Sequence, residues 1–251
     1  YNAKEIAALC SPESECYENI AYYYYIQYNL HIQLLEAGNY ARQKGIIFKG
    51  DIPIGISRNS VEAWIEPYYF NMNGQAGAPP DAFAANGQNW GFPTYNWDYL
   101  KDNDYNWWKD RLKSASQYYG AYRLDHILGF FRIWAIPTRD TTAVLGHTVP
   151  NVPITRQTLN NNGFDNDRIR WLSQPHVPTG AVEDITWNHD SACKILELFM
   201  NRVGNEELWL FKDSMTGDKD IYEADLSSFC NEEASGRIKD VLSMYWRNRC
   251  L

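Results

Sequence analysis

The sequence lacks the features that mark several common protein classes. Its basic residues do not cluster, and the 251 residues carry a formal charge of −8, which argues against a nucleic-acid partner. No apolar run reaches the roughly 18 residues of a membrane span, so no membrane partner is expected. A P-loop, a GxGxxG fingerprint, a Ser-His-Asp or Cys-His set and a zinc signature are also missing. We therefore expect no metal and no organic cofactor.

Cysteine is scarce and odd in number, with five residues in the chain. Cys10 and Cys16 are too widely spaced for a CxxC redox motif. No signal peptide is recognisable at the start, so reduced thiols and a cytoplasmic location are predicted. Because the chain opens with Tyr1 rather than methionine, we expect it to be a piece of a longer protein.

Aromatic residues are abundant: they make up 15% of the chain and include 10 Trp and 18 Tyr. Flat, amphipathic rings suit both a packed core and a surface on which other flat groups stack. Sugar rings stack well in this way, which suggests a carbohydrate ligand. The alternative for any single ring is ordinary packing in the core.

Periodicity predicts an α/β organisation. Residues 15–43 have helical spacing and end in a basic turn with a glycine, and the short β-branched run at 46–52 predicts a strand with Asp51 near its end. Residues 56–100 are rich in Gly, Pro and Asn, and so long an irregular stretch is more often functional than idle. A helix over 103–119 and a strand over 121–125, ending at Asp125, follow.

A strand, loop, helix and strand in this order, with a carboxylate at the end of each strand, favour parallel strands. In a (β/α)₈ barrel the active site lies at that edge, although the pattern alone does not separate a barrel from a doubly wound sheet. Less regular segments follow and look like inserted material. They are helices over 155–161, 188–203 and 231–249 and a strand over 207–211.

Arg123 and Asp125 are candidate catalytic residues. They lie two positions apart on the second strand, so their side chains face the same side. An arginine beside a carboxylate keeps it ionised and oriented, as a glycosidase nucleophile requires. By itself, an Arg-x-Asp pair is more often only structural.

Longer motifs identify a resemblance. The chain resembles the 4-alpha-glucanotransferases, or amylomaltases, of glycoside hydrolase family 77, strongly over about residues 15–175. Within that family it is most similar to the plant-type, maltose-using cytosolic branch. The matching motifs are GDIPIG at 50–55, RNSV at 58–61, GAPPD at 77–81, NGQNWGFPTYNW at 86–97, RLDH at 123–126 and HILGFFRIW at 126–134, with a weaker match, LSSF, at 226–229.

The resemblance implies a fold and residue roles. The fold would be part of a (β/α)₈ TIM barrel with long insertions, in which Asp125 is the nucleophile and Arg123 holds it. The residues implied in substrate binding are Asp51, Asp81, Phe83, Gln88, Trp90 and His126. Ala82 stands where family members often carry an aromatic residue, which weakens the expected contact of that loop with the acceptor.

The resemblance also exposes a gap, since a retaining mechanism needs a second carboxylate as acid/base. The family carries it in a Gly-Glu-Asp-Leu-Gly motif that has no proper match here. VEDI at 182–185 and NHD at 188–190 imitate family motifs but lie in what resembles an insert, where Asn188 or Asp190 is expected to cap a helix. We therefore predict a central barrel segment at 1–134, with the substrate loop 56–100, and an insertion at 135–251.

The implied activity is retaining transfer of glucosyl or glucan units from maltose or α-1,4-glucans to a glucan or glucose acceptor, within starch or glycogen metabolism. Two alternatives remain: a non-catalytic α-glucan-binding protein, and an α-glucan hydrolase on the same scaffold. The isolated chain is expected to be inactive, because the acid/base Glu would lie beyond residue 251. Its partners would be α-1,4-glucans, maltose, glucose and the remainder of the same barrel.

The remaining histidines carry weaker expectations. His31 is predicted to pack in a helix-lined core. His147 is predicted in a loop after the catalytic strand, where a substrate role stays open. His176 is predicted in a solvated loop.

Overall fold

The structure is a computed structural model that describes residues 2–249. Two compact units divide the chain: residues up to Asn71 with Tyr95–Phe130, and Met72–Thr94 with Phe131 onward. Among the described residues, no helix combines the length and apolar character needed to cross a bilayer.

Helices and strands alternate irregularly along the chain. The helices are α1 Ala3–Leu9, α2 Tyr17–Gln43, α3 Val61–Ile65, α4 Trp97–Asp102, α5 Asn106–Ala115, α6 Arg156–Asn161, α7 Asn166–Ser173, α8 Gly180–Thr186, α9 His189–Phe199, α10 Lys219–Tyr222 and α11 Glu232–Arg247. The strands are β1 Lys49–Ile52, β2 Phe70–Asn71, β3 Gly74–Ala78, β4 Gln88–Asn89, β5 Thr94–Tyr95, β6 Ala121–Leu124, β7 Ile133–Pro137, β8 His147–Val149, β9 His176–Pro178, β10 Met200–Arg202 and β11 Leu208–Phe211. Short 3₁₀ helices cover Pro67–Tyr69 and Ile127–Phe130.

In the first unit, β1 and β6 form a parallel pair, as the sequence predicted. Asp51 lies opposite Arg123 in the register, and the amide of Asp125 donates to the carbonyl of Ile52 at 3.1 Å, which extends the pairing by one residue. Asp51 and Asp125 therefore both lie toward the carboxyl ends of adjacent parallel strands.

The long helix α2 precedes this pair and confirms the prediction for 15–43 closely. It ends where Gly45 adopts a φ of +74° and Ile46 donates its amide to the carbonyl of Ala41 at 2.9 Å. A left-handed residue just after a helix is most easily a glycine. The strand begins at Lys49 rather than at residue 46, and the preceding Ile46 and Ile47 are exposed.

Aromatic rings form the interior of the first unit. Tyr95, Trp107 and Trp108 are buried with ring centroids 5.1–5.6 Å apart, and Phe70 packs against the first two. The Tyr95 hydroxyl donates to the carbonyl of Ile54 at 2.5 Å, and burial raises the pKa of this phenol. Much of the aromatic content is thus core packing.

The predicted helix over 103–119 is shorter in the structure. Asp104 and Tyr105 have positive φ angles of 52° and 54°, which no α-helix accommodates. They separate α4 from α5, which runs only over Asn106–Ala115. The predicted span therefore extends beyond α5 at both ends, and most of α4 lies in the stretch that was predicted to be irregular.

The second unit contains a four-stranded antiparallel sheet in the order β4-β3-β7-β8. Its central pairing sets Gly77 opposite Trp134. The strands β3 and β4 lie inside the stretch that the sequence predicted to be irregular. They were missed because β4 has only two residues and β3 is mostly small residues without polar–apolar alternation.

A second sheet, β10-β11-β9, also belongs to this unit. The helices α8, α9 and α11 contribute Val182, Leu196 and Leu242 to its core, each without solvent exposure. Asn188 caps α9 by accepting the amide of Ser191 at 2.8 Å, as predicted. The end of α9 at Phe199 is earlier than predicted, since Met200 already starts β10.

Candidate active site

Three charged side chains share one side of the parallel strand pair in the first unit. Arg123 donates from Nε to Asp51 Oδ1 at 2.8 Å and from Nη2 to Asp51 Oδ2 at 2.5 Å. The same Nη2 lies 3.9 Å from Asp125 Oδ1. Strand alternation explains the arrangement, because Asp51 is the register partner of Arg123 and Asp125 follows Arg123 by two residues.

The electrostatics of this triad are uneven. Two hydrogen bonds from Arg123 hold the pKa of the Asp51 carboxyl below its usual range. Asp125 accepts no comparable bond from the guanidinium, so its closest guanidinium contact is the longer ion pair. Sequence reasoning assigned Arg123 to Asp125; it missed the bidentate bond to Asp51, which only the strand register could have indicated.

All three side chains are accessible, with 52–60% of each exposed. An exposed ion pair contributes little to stability. The arrangement instead concentrates two carboxylates and one cation at a surface that a polar ligand can reach. An ionised carboxylate held beside a cation can act as a nucleophile toward an electrophilic carbon.

His126 follows this triad in an unusual backbone conformation. Its φ is +45°, in the left-handed region that non-glycine residues occupy rarely, at a cost of roughly 1 kcal/mol or more. Its carbonyl accepts the amide of Gly129 at 2.8 Å, which begins the 3₁₀ turn at Ile127–Phe130. Strained residues of this kind cluster at functional sites.

The other predicted site residues belong to the second unit, and two glycines shape their loop. A Cβ on Gly77 would lie 2.0 Å from the carbonyl oxygen of Gln88, so β3 and β4 can approach only with glycine there. Gly87 has a φ of +63°, and a Cβ on it would lie 2.5 Å from the carbonyl oxygen of Ala78. The glycines of these motifs are therefore required by the turn that leads into Gln88.

Asp81 and Phe83 lie at the exposed part of this loop. The Asp81 carboxylate accepts the amides of Phe83 and Ala84 at 2.8 and 2.7 Å, an arrangement that fixes a tight turn. Phe83 is fully exposed, with 100% of its surface accessible. An ordered turn that presents a bare phenyl ring to solvent is suited to stacking on a ligand.

Gln88 and Trp90 form a second feature of the loop. The Trp90 indole Nε1 donates to Gln88 Oε1 at 3.1 Å, and its ring stacks on Phe92 with centroids 5.7 Å apart. Trp90 is partly exposed, and it lies just after β4 in neither a helix nor a strand. One face of an oriented indole can thus contact a flat ligand.

The structure therefore brings Asp51, Arg123 and Asp125 together, with His126 next in the chain. Asp81, Phe83, Gln88 and Trp90 are grouped in the second unit.

The two segments that resemble family motifs, VEDI at 182–185 and NHD at 188–190, contain Glu183, His189 and Asp190. Glu183 lies in α8, and its Oε2 is 3.0 Å from His189 Nδ1. Asp190 lies in the first turn of α9. The capping role falls to Asn188. These residues belong to local helix packing in the second unit.

The three remaining histidines differ in how well the sequence placed them. His31 is partly buried and lies 2.7 Å from the Tyr118 hydroxyl, in agreement with a packed role. His147 is exposed but opens strand β8 rather than a loop. His176 lies in β9, and its ring stacks on Trp171 with centroids 3.5 Å apart, so the solvated-loop prediction was wrong.

The motifs of the candidate site lie within a region that matches a known protein family. The family model described as 4-alpha-glucanotransferase matches residues 1–163, well over half of the chain. The chain belongs to the 4-alpha-glucanotransferase family. The match includes every predicted site residue from Asp51 to His126, and it agrees with the resemblance found over about residues 15–175.

Two curated relatives illustrate the likeness of this family member. 4-alpha-glucanotransferase DPE2 of Oryza sativa subsp. japonica is 44% identical over 185 residues, which cover 73% of this chain and 19% of that protein. The 4-alpha-glucanotransferase of Chlamydia pneumoniae is 44% identical over 118 residues, 47% of this chain and 22% of that protein. The chain thus spans about a fifth of the length of these relatives.

Solved amylomaltases share its fold. The amylomaltase of Streptococcus agalactiae, determined in complex with acarbose, aligns with all of this chain and 66% of its own length at a TM-score of 0.54 and 22% identity. The Corynebacterium glutamicum amylomaltase aligns with 58% of this chain and 21% of its own length at a TM-score of 0.50 and 26% identity. The mixed helix and strand content of the family is therefore present here.

Proposed function

We propose that this chain supplies the nucleophile of a 4-alpha-glucanotransferase that moves glucosyl or glucan units from maltose or α-1,4-glucans to a glucan or glucose acceptor. The observation that carries the proposal is the ion pair of Arg123 with both Asp51 and Asp125 on one face of a parallel strand pair. The family membership of residues 1–163 supports it.

In the proposed reaction, Asp125 attacks the anomeric carbon of the donor sugar and forms a glycosyl ester as the glycosidic bond breaks. The departing oxygen takes a proton from an acid/base Glu, which we expect outside residues 1–251. An acceptor hydroxyl then attacks the ester, returns its proton to that Glu and releases Asp125. Two inversions at one carbon retain the α configuration.

Arg123 acts in this scheme as a positioning residue. Its bidentate bond to Asp51 fixes the guanidinium plane, since two parallel hydrogen bonds leave little rotational freedom. The fixed cation then lies 3.9 Å from Asp125 Oδ1 and attracts that carboxylate. Asp51 would serve both this arginine and the hydroxyl groups of the bound sugar.

We further infer that β1 and β6 are neighbouring strands of a (β/α)₈ barrel, with 1–134 in its central part and 135–251 as an insertion. Helices α3, α4 and α5 lie between the two strands in the chain, as a parallel crossover requires. Tyr122 and Leu124 of β6 are 38% and 41% exposed, which suits strands that continue into a larger sheet. The remaining barrel strands would come from the rest of the protein.

We propose that the loop that carries Phe83, Gln88 and Trp90 binds glucose by stacking its aromatic rings on the sugar. The exposed ring of Phe83 and the partly exposed ring of Trp90, in a loop shaped by Gly77 and Gly87, suit the flat faces of glucose. We propose a cytoplasmic location, to which the four described cysteines, all free, are suited. Cys250 lies outside the described residues.

Trapping the covalent intermediate tests this proposal. The whole protein is incubated with a fluorinated α-glucosyl donor that forms the ester quickly and releases it slowly, and peptide mass spectrometry then locates the added sugar. We expect the mass on Asp125, and we expect Asp125→Asn to abolish both the adduct and disproportionation of maltotriose while glucan binding persists. A labelled Glu183, or an active Asp125→Asn enzyme, would refute the assignment.

A further inference from the structure

A cluster of possible metal ligands lies in the second unit and has no part in the proposed transfer reaction. His189 and Cys193 lie one turn apart on α9, and Glu207 precedes β11. One ligand atom from each of the three residues lies within 4.8 Å of the others. His189 Nε2 and Cys193 Sγ are 3.5 Å apart.

Glu183 orients the imidazole of this cluster. Its Oε2 lies 3.0 Å from His189 Nδ1, so the proton of a neutral ring belongs on Nδ1. Nε2 is then the nitrogen without a proton, and it lies 3.5 Å from Cys193 Sγ. Metal-binding histidines almost always hold a carboxylate, carbonyl or water in this way on the nitrogen that does not bind the metal.

The distance between nitrogen and sulfur matches one metal well. Zn–N bonds of about 2.0–2.1 Å and Zn–S bonds of about 2.3 Å at a tetrahedral angle place the two ligand atoms roughly 3.5 Å apart. The observed separation of His189 Nε2 and Cys193 Sγ is 3.5 Å. The separation of these two ligand atoms is therefore compatible with a shared zinc ion.

Glu207 is held beside this pair by two neighbours. The Thr179 hydroxyl donates to its Oε2 at 2.5 Å, and Arg202 forms an ion pair with its Oε1. Each carboxylate oxygen has a second lone pair, so these bonds leave an acceptor site open. The Glu207 side chain is 53% exposed, and one of its carboxylate oxygens lies within 4.8 Å of a ligand atom of each of the other two residues.

The charge around the cluster favours a cation. Glu183, Asp190 and Glu207 act electrostatically on the His189 ring, and Glu197 adds to the field at Cys193. The opposing cation is Arg202. A divalent ion would offset this excess of negative charge at close range.

We propose that His189 Nε2, Cys193 Sγ and a Glu207 carboxylate oxygen bind a zinc ion, with water as the fourth ligand. Nitrogen, thiolate and carboxylate together suit Zn²⁺, whereas Mg²⁺ and Ca²⁺ prefer oxygen alone. The thiol proton is lost to solvent on binding. The ion joins the first turn of α9 to the start of β11, so its role is to stabilise the second unit.

The spacing of these ligands explains why the sequence contains no zinc signature. His189 and Cys193 have helical spacing, but Glu207 comes from the end of the loop that connects β10 and β11. A pair of ligands without a second pair nearby matches no sequence motif for zinc.

The test uses the full chain after removal of bound metal with a chelator. Cobalt(II) is titrated in as a spectroscopic substitute for zinc. The intensity of a thiolate-to-cobalt charge-transfer band should increase until one equivalent of cobalt has been added. Zinc should then displace the band and raise the melting temperature of the chain. Cys193→Ser should lose the band, while Cys230→Ala, which removes another partly buried thiol of the same unit, should retain it.

The other ligands are tested by amide variants of similar shape. His189→Gln and Glu207→Gln should each weaken zinc binding strongly, and Glu183→Gln should weaken it about 10–100-fold through loss of ring orientation. His189 and Glu207 are about half exposed, so their variants should keep the circular dichroism spectrum of the parent. If Cys193→Ser fails to fold, His189→Gln and Glu207→Gln still test whether the cluster binds zinc.

Three results would overturn the proposal. The first is a parent chain without a one-equivalent cobalt band. The second is a band that survives in Cys193→Ser or disappears in Cys230→Ala. The third is unchanged zinc affinity in His189→Gln and Glu207→Gln.

Discussion

Arg123 binds Asp51 through two hydrogen bonds while its Nη2 stays 3.9 Å from Asp125. One guanidinium thus connects the carboxylates of two parallel strands. A loss of this side chain affects both carboxylates at once, although only Asp51 is directly hydrogen-bonded to it. The arginine is therefore the point at which the geometry of the site is most easily tested.

Replacement of Arg123 should move the titration of Asp51. The hydrogen bonds from Arg123 hold the pKa of Asp51 below the ordinary value, so Arg123→Gln should raise it toward about 3.9. Because the folded pKa is the lower one, the pair stabilises the fold above the unfolded pKa. That contribution is lost as the pH falls through the folded pKa. NMR of the carboxyl carbons follows the titration directly.

Lys109→Gln provides the control for this measurement. Lys109 is an exposed cation paired with Asp104, in the same unit but outside the site. Its loss should leave the Asp51 titration unchanged. An Asp51 pKa that does not respond to Arg123→Gln would show that the bidentate bond does not persist in solution.

Removal of the Trp90 indole should weaken substrate use without unfolding the protein. A ring stacked on a glucose face contributes about 1 kcal/mol, which corresponds to roughly a five-fold higher KM or an equivalent fall in kcat/KM. Trp90→Ala in the whole protein, assayed on maltose with a glucan acceptor, measures this. Trp187→Ala removes an 88% exposed indole elsewhere and should have no kinetic effect. Unchanged kinetics in Trp90→Ala would exclude the stacking role.

The isolated chain of residues 1–251 should not catalyse transfer. General acid assistance contributes about 10²–10⁴-fold to such reactions, and the proposed acid/base is not among these residues. The assay uses maltotriose with a glucose acceptor and the purified chain free of any companion. Robust disproportionation would mean that the acid/base lies within the chain, and Glu183 would be the first residue to replace.

Shortening a side chain of α9 should strongly destabilise the second unit only where that side chain faces the core. Leu196 is fully buried and Leu198 is 44% exposed on the same helix. Leu196→Ala should lower the free energy of unfolding by about 2–5 kcal/mol through lost burial and a cavity. Leu198→Ala should cost much less, at most about 1 kcal/mol. Urea denaturation of the two variants checks the difference, and equal losses would contradict this placement of α9.

The sequence alone predicted much of the local structure and the family. Regular spacing located α2, and the cap of α9 at Asn188 followed from a preference that acts within four residues. The pairing of β1 with β6 was also predicted, because strand and helix order limits the possible topologies. Long ungapped motifs then identified the 4-alpha-glucanotransferase family, in agreement with the match over residues 1–163.

Contacts between residues that are distant in the chain were determined only by the tertiary structure. Arg123 pairs with Asp51 across 72 positions because the register of two strands sets them opposite each other. The β3–β7 pairing and the cluster of His189, Cys193 and Glu207 likewise result from how strands and helices pack. Local propensity does not encode such contacts, since they form only when separate segments bury their surfaces together.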